Sequence, residues 1–524
     1  MSYITKIRLL NFKKFDKFEV DFDPKLNLLV GDNEAGKSTI LTAIDLATSG
    51  SRNKVETIGL EHLFNVEAIT NFLLTDRKLG NLPILFVELF LNDEPNEFLE
   101  GKNNSAKKEC NGLKLVCKAN EEYSKIISEI LKDPNCIFPF EFYNIEFQTF
   151  SGQTFNSYTK CLKHILIDNT QVSSEYAMKE YVKEIYNSNI SEPQEKYTHQ
   201  HKYRLSKNEF KISALTEINA KIQKIGNYTL GIKSNSKSNL ETDLTIYDGS
   251  ISIDNKGKGK QCIIKSELAL AKNDNDLDIV LLEEPENHLS HLNTQSLINK
   301  ISQADNKQIF IATHSDLIST RLDLRNCILL NSSSNQLTKL SDLSETTAKF
   351  FIKAPDNNIL QFILSNKVVL VEGDAEYILM ETFFRQANNM ELKASNVHII
   401  SVDGTSFERY LEIATRLNIK TAIISDNDGD YENKIVEKYS KYNPEIIQAF
   451  SNTDNTKSTF EICMYEANTE ICDTLFKEGR RTLSVQQYML NNKAEVSFVL
   501  LDKAESKITS PDYIIEALQW IIKD

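Results

Sequence analysis

The stretch Gly31-Asp32-Asn33-Glu34-Ala35-Gly36-Lys37-Ser38 decides the fold of the first part of the chain. It fits the pattern G-x-x-x-x-G-K-[ST], and it lies between a short apolar run at 28–30 and a helical pattern. In that context the glycines allow backbone N–H groups to close around phosphates at a helix N-terminus. The alternative is a glycine turn that binds nothing.

We expect this loop to bind ATP with Mg²⁺. Lys37 can reach the β- and γ-phosphates, and the Ser38 hydroxyl can be a Mg²⁺ ligand. The full set of predicted nucleotide-binding residues is Gly31, Asn33, Gly36, Lys37, Ser38, Thr39 and Glu283.

Two further apolar runs end in polar side chains that suit the same site. Glu283 and Glu284 follow residues 279–282, and we expect Glu283 to hold Mg²⁺ through water and Glu284 to orient the attacking water. His314 follows the apolar run 308–313, at the strand end where a γ-phosphate sensor would lie. A histidine that only satisfies hydrogen bonds of the core is the alternative.

Composition excludes several classes of protein. The 524 residues include 60 Lys and Arg against 74 Asp and Glu, a net charge of −14, with 41% hydrophobic and 26% charged residues. These values are those of a globular chain of two to four domains, not of a disordered or disulfide-stapled one. The eight cysteines form no C-x-x-C pair, and we interpret them as reduced thiols. No apolar run approaches the ~20 residues of a membrane span, so we expect a cytoplasmic protein with no membrane partner.

The second half carries a separate group of acids. From about residue 362 strands and helices alternate, which indicates a parallel sheet. Glu372 and Glu376 follow the apolar run 368–371, and Asp426 and Asp428 follow 421–424. Because parallel strands end at one edge, we expect these carboxylates to form a hard-metal site. The alternative is a Rossmann-like domain with solvated acids at its strand ends.

The region between the halves changes character. Residues 171–225 carry apolar residues at helical spacing among many charges, which predicts a helical insertion, and strand signals return at 241–253.

The opening I-x-x-x-NF-x-x-F, GDNEAGKST, LLEEPENHL and IATHS together resemble the ABC-type ATPases of the SMC and RecF group. The resemblance implies two heads that sandwich ATP, with residues 255–261 as the signature segment. That segment departs from the usual Ser-Gly-Gly core, and Glu283 replaces the usual Asp, so hydrolysis is expected to be slow or ATP to act chiefly as a clamp. Gln148 and Gln153 both suit the Q-loop. His288 and His291 fall in the D-loop region, with a metal pair as the alternative.

The strand ending in Glu-Gly at 372–373 and the Asp-x-Asp at 426–428 resemble the Toprim domain of primases, topoisomerases and nucleases. An ABC-type head fused to a Toprim domain is similar to the OLD (overcoming lysogenization defect) nucleases. This resemblance implies that Glu376 and Glu461 complete the metal set and that Lys493 stabilises the transition state. For Glu461 and Lys493 the alternative is a solvated surface acid and a solvated surface lysine. The resemblance also implies a helical dimerisation insert. The expected fold is α/β. The expected domains are the ATPase N-terminal part at 1–170, the insert at 171–225, the ATPase C-terminal part at 226–355, and the Toprim domain with C-terminal helices at 362–524.

The resemblance implies an ATP-gated, Mg²⁺- or Mn²⁺-dependent DNA endonuclease that takes part in anti-phage defence. We predict Glu284, His314, Glu372, Asp426, Asp428 and Lys493 as catalytic residues. The predicted metal ligands are Ser38, Glu372, Glu376, Asp426, Asp428 and Glu461. Expected partners are DNA, further copies of the chain, and a defence partner such as a retron reverse transcriptase with its DNA–RNA product, or a helicase. The alternative function is an ATP-driven DNA-binding or assembly factor with an inactive Toprim domain.

Overall fold

The computed structural model describes thirteen stretches of the chain and divides them into two compact units. Unit 1 contains Met1–His314 and Asn326–Leu337, and unit 2 contains Ser315–Arg325 and Thr338–Asp524. The described residues are 2–74, 77–133, 135–157, 159–169, 175–190, 192–222, 229–232, 240–271, 277–331, 337–354, 358–402, 407–477 and 483–523.

The first sheet of unit 1 is antiparallel. Its strands are β1 (Ile4–Phe12), β2 (Phe15–Asp21), β4 (Leu85–Leu91), β5 (Glu100–Gly101), β6 (Cys110–Ala119) and β7 (Tyr143–Thr149). The order is β2-β1-β4-β6-β5, and β7 pairs with β6. Alternate side chains of β1 and β2 are buried, which is the period-2 pattern of a sheet with one covered face.

The second sheet of unit 1 has a parallel core. β3 (Leu26–Gly31), β8 (His164–Asp168), β11 (Ile279–Glu283), β12 (Gln308–Thr313) and β13 (Cys327–Leu330) run in the order β13-β3-β12-β11-β8. Nearly every residue of β3, β11 and β12 is buried, as expected when helices or sheets cover both faces. The glycine loop follows β3, Glu283 ends β11, and His314 follows β12. These three strands lie next to one another in the middle of the sheet.

Helix α1 (Lys37–Ser49) begins at the glycine loop, and eleven of its thirteen residues are buried in the core of unit 1. The other helices around the two sheets are α2 (Arg52–Ile58), α3 (Leu60–Leu63), α4 (Val66–Leu74), α5 (Ser124–Ile130), α10 (Lys258–Leu270) and α11 (His291–Gln303).

The predicted helical insertion is observed in the residues that the structure describes. It contains α6 (Glu175–Ser188), α7 (Pro193–Ala214) and α8 (Thr216–Ile222). The strand prediction for 241–253 is wrong at its start, because α9 (Leu240–Asp243) is helical and Glu241 forms an ion pair with Lys196 of α7 at 2.7 Å. Within residues 241–253 the structure has two short strands, β9 (Tyr247–Asp248) and β10 (Ile251–Ser252).

Unit 2 contains a four-stranded parallel sheet in the order β16-β15-β17-β18. Its strands are β15 (Lys367–Val371), β16 (Val397–Ser401), β17 (Lys420–Ile424) and β18 (Ile447–Phe450), and β14 (Leu337–Lys339) precedes them in the chain. The helices are α12 (Asp316–Arg321), α13 (Glu345–Lys353), α14 (Ile359–Ile363), α15 (Asp374–Asn388), α16 (Phe407–Leu417), α17 (Phe460–Ala467), α18 (Thr469–Leu475), α19 (Val485–Asn491), α20 (Lys493–Ala504) and α21 (Asp512–Ile522), with a π-helical segment at Glu432–Glu437.

The two units confirm the predicted α/β fold class. The core of unit 2 is built mainly from β15, β17, α15 and the C-terminal helices. Among the described residues, no helix combines the length and the apolar character needed to cross a membrane. The domain boundaries expected from the sequence stay a prediction.

Candidate functional site

The glycine loop joins β3 to α1 in a conformation that both of its glycines permit. Gly36 has a φ of 104°, and a Cβ at this position would lie 2.5 Å from the Phe15 ring. A Cβ at Gly31 would lie 2.3 Å from the carbonyl oxygen of Leu330. A side chain at either position would therefore require the loop or its neighbour to move.

Lys37 is held by its own loop and by His314. Its Nζ donates to the carbonyl oxygens of Gly31 at 2.8 Å and Asp32 at 3.0 Å, and lies 2.8 Å from His314 Nε2. Burial lowers the pKa of Lys37, and nearby acids, with Glu284 first, oppose that change. The Lys37 ammonium and the His314 imidazole therefore lie side by side at the carboxyl ends of β3 and β12.

The two acids after β11 lie beside the glycine loop. The Ser38 hydroxyl donates to Glu283, while burial raises the pKa of that carboxyl. Glu284 has a φ of 44°, and its Oε1 lies 3.5 Å from His314 Nε2. Burial and repulsion from Glu286 raise the pKa of Glu284 to about 7. A carboxyl with a pKa near neutrality can accept a proton at working pH.

Most of the predicted nucleotide-binding residues line a cavity of about 410 Å³. It is lined by Lys14, Asn33, Glu34, Ala35, Gly36, Lys37, Ser38, Thr39, Glu283, Glu284 and His314. Of the predicted set, Gly31 is not in the lining, and it acts through its carbonyl contact with Lys37. Lys14 is a lining residue that sequence reasoning missed, although its place in the N-F-K-K-F turn was visible. Its Nζ donates to the carbonyl oxygens of Glu34 and Asn331 at 3.0 and 3.1 Å.

Sequence reasoning also missed Glu286, two residues beyond Glu284. Its Oε1 accepts hydrogen bonds from the Thr313 hydroxyl at 2.5 Å and from the His314 backbone N–H at 3.2 Å. The residue stands in the quoted E-E-P-E-N-H-L segment, but its contacts are made with a strand that lies 27 residues later. Local spacing could not reveal them.

The expected signature segment approaches the loop that follows β11. Gly257 precedes α10, and a Cβ on Gly259 would lie 2.3 Å from the carbonyl oxygen of His288. Gln148 and Gln153 are absent from the cavity lining given above, so the choice between them stays open. His291 contacts Gln295 at 2.9 Å, and no metal-binding group that includes either histidine occurs among the described residues.

In unit 2 four of the predicted acids lie near one another: Glu372 and Asp426 follow β15 and β17, and Glu376 and Glu461 lie in the first turns of α15 and α17. Glu372 Oε2 accepts the Asp426 N–H at 3.2 Å, which joins the ends of β15 and β17. Asp426 Oδ1 accepts the N–H of Phe460 at 2.7 Å, at the start of α17. The next residue, Glu461, is 3% exposed and lies 3.2 Å from Lys493 Nζ.

Electrostatic repulsion is strong in this cluster. Burial raises the pKa of Asp426 to about 8, and three carboxylates add to the effect: Glu372, Glu376 and Glu461. Burial, with Glu461 and Glu372, also raises the pKa of Glu376 to about 7. The pKa of Lys493 is raised because Glu461 outweighs the opposing effect of burial. Like charges packed this closely favour protonation unless cations neutralise them.

Asp428 does not join the other acids. Its backbone has a φ of 49°, and its side chain is 60% exposed and lies 3.5 Å from Lys434 Nζ. Between it and Asp426, Asn427 is 1% exposed and donates to the carbonyl oxygens of Asn452 and Asp454. Asn427 fixes the loop so that the two aspartates of the motif have different surroundings.

The remaining acids suit a divalent cation in their chemistry. Glu461 Oε2 is buried and accepts no hydrogen bond from the described residues, and carboxylate oxygens are the ligands that Mg²⁺ and Mn²⁺ prefer. In the described conformation no three His, Cys, Asp or Glu side chains are close enough to hold an ion together. The donor set therefore fits a metal, and its side chains would have to converge to bind one.

Comparison with known proteins matches a family model to a part of each half of the chain. Residues 363–428 match the TOPRIM domain of overcoming lysogenization defect protein-like families, and residues 2–135 match an AAA ATPase domain. The predicted OLD resemblance is confirmed. The chain is 28% identical over 180 residues to the Old nuclease of Escherichia phage P2, which covers 32% of this chain and 30% of that protein.

Other similar proteins match one part of the chain. A RecF DNA replication and repair protein of Clostridium acetobutylicum is 38% identical over 52 residues, 10% of this chain and 14% of that protein. The chain thus spans less than a third of the curated relatives it matches. Among solved structures, an SMC head bound to a ScpA domain is similar to this chain at 14% identity, covering 65% of this chain and 100% of that chain with a TM-score of 0.36. The C-terminal region of the Burkholderia pseudomallei OLD protein is similar at 22% identity, covering 30% of this chain and 96% of that chain with a TM-score of 0.25.

Proposed function

We propose that this protein is an ATP-binding, metal-dependent DNA endonuclease whose OLD-like Toprim domain cuts phosphodiester bonds. The observation that carries the proposal is that Glu372, Glu376, Asp426 and Glu461 act electrostatically on one another in unit 2, with Lys493 paired to Glu461. The match to an OLD-like TOPRIM domain and the likeness to the phage P2 Old nuclease support it.

The metal would be held by Glu372, Asp426, Glu376 and Glu461. Asp428 stays a proposed ligand, whose exposed side chain would have to turn away from Lys434. Bound Mg²⁺ or Mn²⁺ supplies activation of a water and charge stabilisation at the leaving oxygen. Lys493 contributes a positive charge, and its pKa is raised because Glu461, Asp426 and Glu376 together outweigh the effect of burial. That charge can stabilise the extra negative charge that develops on phosphate during cleavage.

The head of unit 1 would bind ATP and use it to gate cleavage. Lys37 would contact the β- and γ-phosphates, Ser38 and Glu283 would hold Mg²⁺, and Glu284 and His314 would act at the γ-phosphate. The Lys37–His314 contact and the nearly neutral pKa of Glu284 support these roles. The glutamate at position 283 and the altered signature favour slow hydrolysis or a clamp.

We also propose a homodimer or larger homo-oligomer formed through the heads and the helical insert. Exposed Tyr197, Leu205 and Ile212 share one face of α7 and support a partner-covered surface there. Anti-phage defence, with a separate retron reverse transcriptase and its DNA–RNA product or a helicase as partner, is the biological role that we propose from the OLD likeness.

Two observations favour the alternative, a DNA-binding or assembly factor with an inactive Toprim domain. Among the described residues no three metal-ligating side chains converge, and Asp428 is paired with Lys434. The alternative predicts DNA binding without cleavage in any divalent metal.

The decisive experiment measures nicking of supercoiled plasmid with Mg²⁺ or Mn²⁺. We expect Asp426→Ala to abolish cleavage and to leave ATP binding intact. Asp473→Ala is the matched control, because Asp473 is an exposed aspartate that accepts a hydrogen bond from the Tyr465 hydroxyl. Equal cleavage by Asp426→Ala and wild type would refute the nuclease proposal, and no cleavage by any form would favour the alternative.

A further inference from the structure

Glu286 connects the two loops that carry Glu284 and His314. It stands two residues after Glu284, in the loop that follows β11, and its Oε1 reaches the end of β12. There the oxygen accepts the Thr313 hydroxyl at 2.5 Å and the His314 N–H at 3.2 Å. One carboxylate oxygen therefore ties the position of the His314 backbone to the loop that holds Glu284.

The contacts of His314 show which distances depend on the Glu286 hydrogen bonds. The imidazole Nε2 lies 2.8 Å from Lys37 Nζ and 3.5 Å from Glu284 Oε1. A shift of the His314 backbone would change both distances, because the short imidazole side chain cannot compensate for much movement. Further charged groups at this point, Asp32 and Glu283, act on Lys37.

Burial and the charge of Glu286 raise the pKa of Glu284, but the second oxygen of Glu286 takes no part in holding the His314 backbone. Oε2 is buried and accepts no hydrogen bond from the described residues, and a buried carboxylate oxygen without a donor is unfavourable. A glutamine would make the same two contacts through its own Oε1 without a buried charge. This comparison separates the geometry of the side chain from its charge.

We propose that Glu286 is a positioning residue for recognition of the γ-phosphate of ATP. It holds the Thr313–His314 strand end so that the His314 imidazole stays between Lys37 and Glu284, where a γ-phosphate would be read. The inference rests on the proposed function, in which the cavity of unit 1 binds ATP and His314 senses the γ-phosphate.

The test compares two conservative variants of the full chain in the presence of Mg²⁺. Glu286→Asp keeps the charge but shortens the side chain by one methylene, so it cannot reach both donors. Glu286→Gln removes the charge but keeps the acceptor. The readout is the ratio of the affinities for the non-hydrolysable analogue AMP-PNP and for ADP, measured by displacement of a fluorescent nucleotide.

We expect Glu286→Asp to lower this ratio about tenfold, the effect of losing a hydrogen bond that involves a charged group. His314→Ala should lower the affinity ratio by a similar factor. The double variant Glu286→Asp/His314→Ala should show no further loss, because both changes remove the same contact of His314 with the γ-phosphate. Glu286→Gln should stay near wild type. Glu56→Ala, an exposed glutamate paired with Arg52, is the control.

The outcomes separate the two proposals. If His314→Ala lowers the ratio and Glu286→Asp does not, the positioning role is wrong and ATP binding stands. If Glu286→Gln is as impaired as Glu286→Asp, charge and not position matters, and the inference also fails. If wild type binds neither nucleotide, or if His314→Ala leaves the ratio unchanged, the proposed γ-phosphate sensor fails, and the inference with it.

Discussion

Replacement of Asp426 by asparagine should stabilise the metal-free protein while removing its proposed catalytic site. Asp426 is buried among Glu372, Glu376 and Glu461, and its pKa is raised from 3.8 to about 8. A carboxyl whose pKa is raised on folding contributes no penalty below its unfolded pKa. The native state then loses stability as pH rises through the interval from about 4 to about 8.

The magnitude follows from this interval. At pH 7 the medium lies about three pH units above the ordinary pKa of an aspartate, and each unit corresponds to about 1.36 kcal/mol. The free energy of unfolding should therefore be lower by about 4 kcal/mol at pH 7 than near pH 4 on account of this one group. This is an upper value, because the four carboxylates titrate together. The asparagine side chain of the Asp426→Asn variant keeps an oxygen that can accept the Phe460 N–H.

The chain offers a specific probe for this measurement. Trp520 is its one tryptophan, and its ring packs 5.8 Å from that of Phe450 in unit 2. Urea unfolding followed by tryptophan fluorescence at pH 5, 7 and 8 with EDTA should show Asp426→Asn to be more stable than wild type at pH 7 and 8. Millimolar Mg²⁺ should raise the stability of wild type more than that of the variant.

Two results would refute this reasoning. One is an Asp426→Asn variant that is less stable than wild type at pH 7 in EDTA, and the other is an unchanged dependence of its stability on pH. Asp473→Asn serves as the matched control, because Asp473 is exposed and lies outside the cluster.

Four other predictions follow from the two sites. Lys37→Ala should lose binding of a fluorescent ATP analogue and lose biological activity; normal phage protection by this variant would show that the head is dispensable. Gly36→Ala should lower the free energy of unfolding by about 1–3 kcal/mol, because its φ is 104° and its Cβ would meet Phe15; an unchanged urea midpoint would contradict this. Lys493→Ala should abolish plasmid nicking with Mn²⁺ affinity kept, and equal loss of both would mean that the residue holds the site together. Long DNA should bind weakly at physiological salt without metal, since residues 362–524 contain 17 Lys and Arg against 26 Asp and Glu; tight metal-free binding in a gel-shift assay would contradict this.

Local patterns were sufficient to predict the elements that carry the site residues. The run before Gly31 and the runs before Glu283 and Glu372 are buried central strands, and such strands are continuous apolar segments that end in polar loops. The helix after the glycine loop was predictable for the same reason, because motif and helix are adjacent in the chain. The fold class follows from the alternation of these elements.

The contacts within each site could not be predicted in this way. Glu286 contacts His314 across 28 positions of sequence, and Lys14 reaches Asn331 across more than 300. Asp428 is the opposite case, since the two-residue spacing suggests that it joins Asp426; its role as a ligand stays a prediction. The buried Asn427 bonds fix a loop in which Asp428 faces Lys434 instead.

The cost of the acid cluster is itself an argument for a cation. Among four carboxylates in unit 2, burial and the charges of the others raise the pKa of Asp426 and Glu376, and Lys493 forms an ion pair with Glu461. If the group served only to hold the strand ends together, Asn or Gln side chains would accept the same backbone hydrogen bonds without repulsion. Retaining a carboxyl with a pKa near 8 destabilises the metal-free fold at neutral pH, and a bound divalent cation would remove that penalty. The same group of carboxylates thus causes the loss of stability and provides the proposed metal site. A substitution such as Asp426→Asn that restores stability should therefore abolish DNA cleavage.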